Sequence, residues 1–198
     1  MQLWRMRLPN FSRLSNEQIL EEWRKFVRNG NFQDEDKQRS NLRGFPDGKE
    51  LLFPPWIMDR LKEAMDEYVR GHWWSSIALC GMIVEFVARS MAEAFREKIS
   101  NKFSLMKVPG GVVENLLMLK DCGILDEEDF GKLDQVREYH DKYLHLRKIE
   151  KEEKEQEELK LDSFKALKRL LDFFDVNNMG RKYLGYLKYL YEHEKCSG

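Results

Sequence analysis

Proline is scarce in this chain, 5 residues in 198, and glycine numbers only 12. So few breakers favour long, solvated helices over sheet. The three cysteines, Cys80, Cys122 and Cys196, are an odd number at spacings that match neither a zinc site nor a disulfide framework. Cys80, inside the apolar stretch SSIALCGMIVEFV, reads as a small buried hydrophobe rather than a reactive thiol. There is no excess of charge of one sign: 34 basic residues stand against 35 acidic ones, so a nucleic-acid surface has to be a local patch and not a global field. The opening MQLWRMRLPNFSR lacks the apolar core of a secretory signal, and no apolar run approaches the ~20 residues of a membrane span. These absences lead to the expectation of a soluble, cytoplasmic protein with no membrane partner. No glycine-rich phosphate loop, no Cys or His metal spacing and no nucleophile elbow occurs, so neither a metal nor another cofactor is expected.

What the chain has instead is charge and helical periodicity. Its composition is 42% hydrophobic and 35% charged, which indicates an all-α protein, and its length suits one ordinary domain. Residues 1–50 read as an accessory helix and linker. Within them, 15–28 form an amphipathic helix in which Ser15 caps and Gln18 closes a capping box. The polar stretch 29–50, rich in turn formers, reads as a loop. From Pro54 to Gly71 an apolar stripe defines the next helix. Residues 73–100 predict a central helix, apolar on almost every face, with Glu85 and Arg89 spaced to form a structural pair.

A short helix over 112–120 ends at Cys122 and Gly123, and Asp126 caps a long one whose inward stripe runs through Phe130, Leu133, Val136, Tyr139 or His140, Tyr143 and Leu144. The charge run KIEKEEKEQEELK is a solvated extension or connector. Leu161 to Phe174 mark another amphipathic helix that ends near 177–180. The tail from 181 carries Tyr183, Tyr186, Leu187 and Leu190 on one side, to pack on the body or on a second subunit. The expected architecture is an antiparallel bundle of four to five helices over 51–180, with 1–50 and 181–198 as accessory pieces.

The chemistry-bearing stretch is VREYHDKYLHLRK, 136–148, which holds two of the 4 histidines. At ~100° per residue, Arg137, Asp141 and His145 fall within roughly 80° of arc on one helix face. His140 lies about 140° from His145 around the axis, so the two share a site only across a twofold dimer. Asp141 either orients His145 or holds Arg137. Lys142, Arg147 and Lys148 supply positive charge for phosphates; equally, they complement the helix dipole and pair with neighbouring glutamates. Tyr139 and Tyr143 read as core residues with a hydroxyl at the rim.

The order of these elements, an apolar HWWSSIALCGMIVEFVARSM helix, a short helix, a GILDEEDFGKLDQV entry and a helix with a polar residue followed by a histidine, resembles the HEPN superfamily over roughly 54–176. The diagnostic feature of that family is an arginine and a polar residue, with a histidine four to six positions on. In HDKYLH, Asp141 matches the polar position and His145 the histidine, while His140 stands where the arginine is expected. Arg137 is separated from His145 by seven residues, one more than the pattern allows.

The resemblance implies two alternatives. Members that keep the motif are metal-independent endoribonucleases, often toxins of toxin–antitoxin or defence systems, with a site formed across a homodimer. In that case His145 serves as general acid or base, Arg137 or His140 assists the phosphate, and Asp141 holds the constellation. Members without the motif are noncatalytic RNA-binding or assembly modules. The expected partners are accordingly RNA, a second copy of the chain, and an antitoxin or other protein. A third reading makes the protein a scaffold whose N-terminal helix or tyrosine-rich tail binds another protein.

Overall fold

The computed structural model describes residues 5–27, 34–46, 48–53, 55–103, 110–144 and 153–194. Among these the chain is overwhelmingly helical. A short strand β1 (Arg5–Arg7) and a 3₁₀ turn (Phe11–Arg13) lead into α1 (Asn16–Val27), α2 (Glu35–Arg43) and strand β2 (Glu50–Leu52). Helices α3 (Pro55–Arg70), α4 (Trp73–Ala94), α5 (Arg96–Phe103), α6 (Val112–Asp121), α7 (Glu127–Leu144), α8 (Glu153–Phe173), α9 (Val176–Lys182) and α10 (Leu184–Glu194) follow. β1 and β2 form a two-stranded antiparallel sheet with Met6 opposite Leu51. The all-α class expected from composition therefore holds, with one small sheet added.

Local signals set several boundaries. At the start of α1, Gln18 N–H donates to Ser15 Oγ at 3.3 Å and Ser15 N–H donates to Gln18 Oε1 at 3.1 Å, the reciprocal capping box. Asp126 accepts the Asp129 N–H at 2.9 Å and opens α7, and Gly123 adopts φ +62° just beyond α6, where a residue with a Cβ is disfavoured.

Three expected element boundaries fail, and Leu144, expected on the inward stripe, is exposed. The stretch 29–50 is not all loop, because 35–43 form α2. This helix is hidden from a hydrophobicity scan because two of its three buried residues, Gln38 and Asn41, are polar; Leu42 is the third. Asn41 Nδ2 donates to Val69 O at 3.1 Å, which ties α2 to the end of α3. The helix expected over 73–100 breaks at Phe95, so α4 and α5 are separate elements. The helix expected to end near 177–180 ends at Phe173, and 177–180 fall inside α9.

Helix α4 is the centre of the structure, packed by α3, α6, α7, α8 and α10. It is the one described helix long and apolar enough to cross a membrane by length and composition. Of its most apolar window, 61% is buried inside the protein, the situation of a central core helix. Cys80 sits fully buried within it, as expected, and burial pushes its thiol pKa up. Tyr183, Tyr186, Leu187 and Leu190 are all buried against the body, and Tyr186 Oη lies 2.6 Å from Ser90 Oγ of α4. β2 is joined to the other end of the chain, because Leu52 N–H donates to Phe174 O at 2.9 Å.

Candidate functional site

Along α7 the four-residue spacing that brought Arg137 and Asp141 onto one face also brings them into contact. Arg137 Nη1 donates to Asp141 Oδ2 at 2.7 Å. On its other side Arg137 Nε donates to Asp134 Oδ1 at 2.7 Å, and Glu138 lies 3.8 Å away. The guanidinium is thus enclosed by three carboxylates. Burial works against its charge, but Asp134 and Asp141 outweigh that and push its pKa upward. Asp134 escaped the sequence reading; its three-residue spacing from Arg137 was the available signal.

His140 is placed by helix packing. Its ring lies against Gly81 of α4, and a Cβ built at position 81 would stand 2.8 Å from His140 Cβ and nearer still to the imidazole. Glycine at 81 lets α4 and α7 approach at this point. The ring is 26% exposed, with Nδ1 3.4 Å from Asp141 Oδ1. Asp141 therefore joins Arg137 to His140 as well as holding Arg137.

Lys142 points elsewhere. It donates to Glu158 at 2.6 Å and to Asp162 at 2.8 Å, and so ties α7 to α8. Tyr143 is buried, stacks edge-on to Trp74 at 5.5 Å and donates its hydroxyl to Asp162 at 2.8 Å. Burial drives the tyrosine pKa up to about 12. Asp162 is stabilised as a carboxylate: burial would raise its pKa, but the bonds from Lys142 and Tyr143 outweigh it and hold it low. His145, Arg147 and Lys148 lie outside the described residues. So does Cys196.

Two features were not read from the sequence. The first is a buried carboxylate, Asp129, which accepts from Lys132 Nζ at 2.7 Å, Lys182 Nζ at 2.9 Å, Tyr183 Oη at 2.7 Å and Asn178 Nδ2 at 3.2 Å. It binds the start of α7 to α9 and α10. In the sequence it reads only as one of several acids suited to a helix N-terminus.

The second feature is an uncovered stripe along α4. Met82 is 54% exposed, Glu85 and Arg89 are exposed, and Leu79 and Phe86 are half-buried beside them. The expected Glu85–Arg89 pair is absent, and among the described residues neither side chain forms an ion pair. On a solvent-facing surface an isolated i,i+4 pair gains only about 0.3–0.5 kcal/mol, so nothing obliges it to close. The stripe is bordered by Trp56 of α3, whose ring meets Phe86 edge-on, and by Gly81, where His140 of α7 lies.

Comparison of the chain with protein-family models, curated proteins and solved structures finds no match.

Proposed function

We propose that the protein is a noncatalytic, homodimeric HEPN-like module, an antiparallel helical bundle that pairs with a second copy through the uncovered face of α4. The observation that carries this reading is the Glu85, Arg89 and Met82 stripe. A helix apolar enough to be buried on all sides keeps one exposed strip, and this strip holds opposite charges one turn apart that have no intrachain ion-pair partner among the described residues. Antiparallel pairing of two α4 helices about a twofold axis sets Glu85 against Arg89 of the partner subunit, twice, with Leu79, Met82 and Phe86 packed between. The state of the α7 residues agrees with a noncatalytic role. The Arg137 guanidinium already gives its Nε to Asp134 and an Nη1 hydrogen to Asp141, and the carboxylates around it repel a phosphate.

A ribonuclease is the second reading, and one contact favours it. Asp141 links Arg137 and His140 into a chain of the kind that orients an imidazole for proton transfer. The two readings part on two measurements. Sedimentation equilibrium should give a dimer at micromolar concentration, and a monomer there rules out the proposed module. Incubation of a labelled structured RNA with chelator should give no cleavage. Cleavage to cyclic phosphate ends that disappears in His145→Ala and Arg137→Ala establishes the enzyme instead.

A further inference from the structure

On the side of the molecule where α7, α8 and α9 meet the segment before β2, an open cleft of about 460 Å³ gathers five cationic side chains: Lys49, Lys132, Arg169, Arg181 and Lys182. They come from four separate stretches of chain, so the fold and not a local charge run assembles them. The lysines are already engaged. Lys49 pairs with Asp172, Lys132 with Glu128 and Asp129, and Lys182 with Asp126 and Asp129. The remaining carboxylate of the lining, Asp175, accepts the N–H of Asn177 at 2.9 Å. Arg169 and Arg181 are left over: both are exposed, and among the described residues neither has an ion-pair partner.

That division has a chemical meaning. The point charges of lysine are spent on holding the fold, while two planar guanidinium forks, the groups best matched to phosphate oxygens, remain open to solvent. No aromatic or aliphatic side chain lines the cleft, so it has nothing to hold a base or an acyl chain. We propose that this cleft binds a phosphate-bearing anion through Arg169 and Arg181, with the Asn177 amide as a neutral donor beside them. Recognition rests on charge and hydrogen bonds alone, so binding is weakened by salt. The site is separate from the α4 stripe and from Arg137, and it stands whether or not the protein dimerises.

The test is isothermal titration of sodium pyrophosphate into the full-length protein at low ionic strength, with Arg169→Ala, Arg181→Ala, the double variant and Lys188→Ala as a control outside the cleft. A short uridine oligonucleotide serves as a second probe. Each single arginine variant should weaken binding about tenfold and the double should abolish it, with Lys188→Ala unchanged. Both arginines are exposed, so unaltered thermal melts will show that the variants fold. Oligonucleotide binding with the same arginine dependence, in the absence of pyrophosphate binding, assigns the phosphates to a nucleic-acid backbone. Binding of neither probe, or binding that survives in the double variant, overturns the proposal.

Discussion

A methyl group at position 81 would collide with His140, and this single clash links the two helices that carry the candidate site. Alanine is the better helix former by about 1 kcal/mol, yet overpacking a tight contact costs about 1–3 kcal/mol, so the contact decides the sign. Gly81→Ala should therefore destabilise the protein by roughly 1–2 kcal/mol in urea denaturation. In a His140→Ala background the same change should become neutral or stabilising, because the imidazole that opposes it is gone. Additive effects of the two substitutions would contradict this packing. The Arg137–Asp141 bond was legible in the sequence because four-residue spacing is a local property of a helix. The seat of His140 on Gly81 was not, since it depends on how α4 and α7 cross, and no residue near either position encodes that.

Individual elements show the same division between local and distant causes. The Ser15–Gln18 capping box and the Asp126 cap were readable because donor and acceptor lie three residues apart. Helix α2 was missed because its buried side includes Gln38 and Asn41, and the break at Phe95 was missed because neither glycine nor proline marks it. The tail was anticipated to pack somewhere, and the structure supplies the place. Tyr186 of α10 is fully buried and meets Ser90 of α4. Ser90 Oγ lies 2.7 Å from Phe86 O, so the hydroxyl pair continues into the α4 backbone. Tyr186→Phe keeps the ring and removes the link; it should lower stability by about 1 kcal/mol in thermal or urea unfolding, with far-UV dichroism unchanged. An unchanged unfolding midpoint would show that the hydroxyl contributes nothing.

Over the whole molecule, buried charge joins parts of the chain that sequence pattern cannot connect. Asp129 lies 53 residues from Lys182 and 54 from Tyr183, yet all three meet. Burial alone would raise the Asp129 pKa, but the bonds from Lys132, Lys182 and Tyr183 outweigh it, so the folded value is depressed. A depressed carboxylate stabilises the fold above its unfolded value of about 3.9, and that stabilisation is lost as pH falls through the folded value. Stability should thus decline below about pH 4. Asp129→Asn, which leaves Lys132 with Glu128 and Lys182 with Asp126 but weakens the charge-assisted bonds to the buried position, should be less stable by about 1–3 kcal/mol at neutral pH and show a shallower acid slope. Equal acid slopes for the two proteins would remove Asp129 from the account.

The proposed pairing through the outside of α4 is tested directly by a charge exchange. Sedimentation equilibrium should show the proposed dimer for the wild type and monomers for Glu85→Arg and Arg89→Glu, because in that pairing each change sets like charges against one another at two places. The double exchange, Glu85→Arg with Arg89→Glu, should restore the dimer. A wild-type monomer, or single variants that remain dimeric, would contradict pairing through this face.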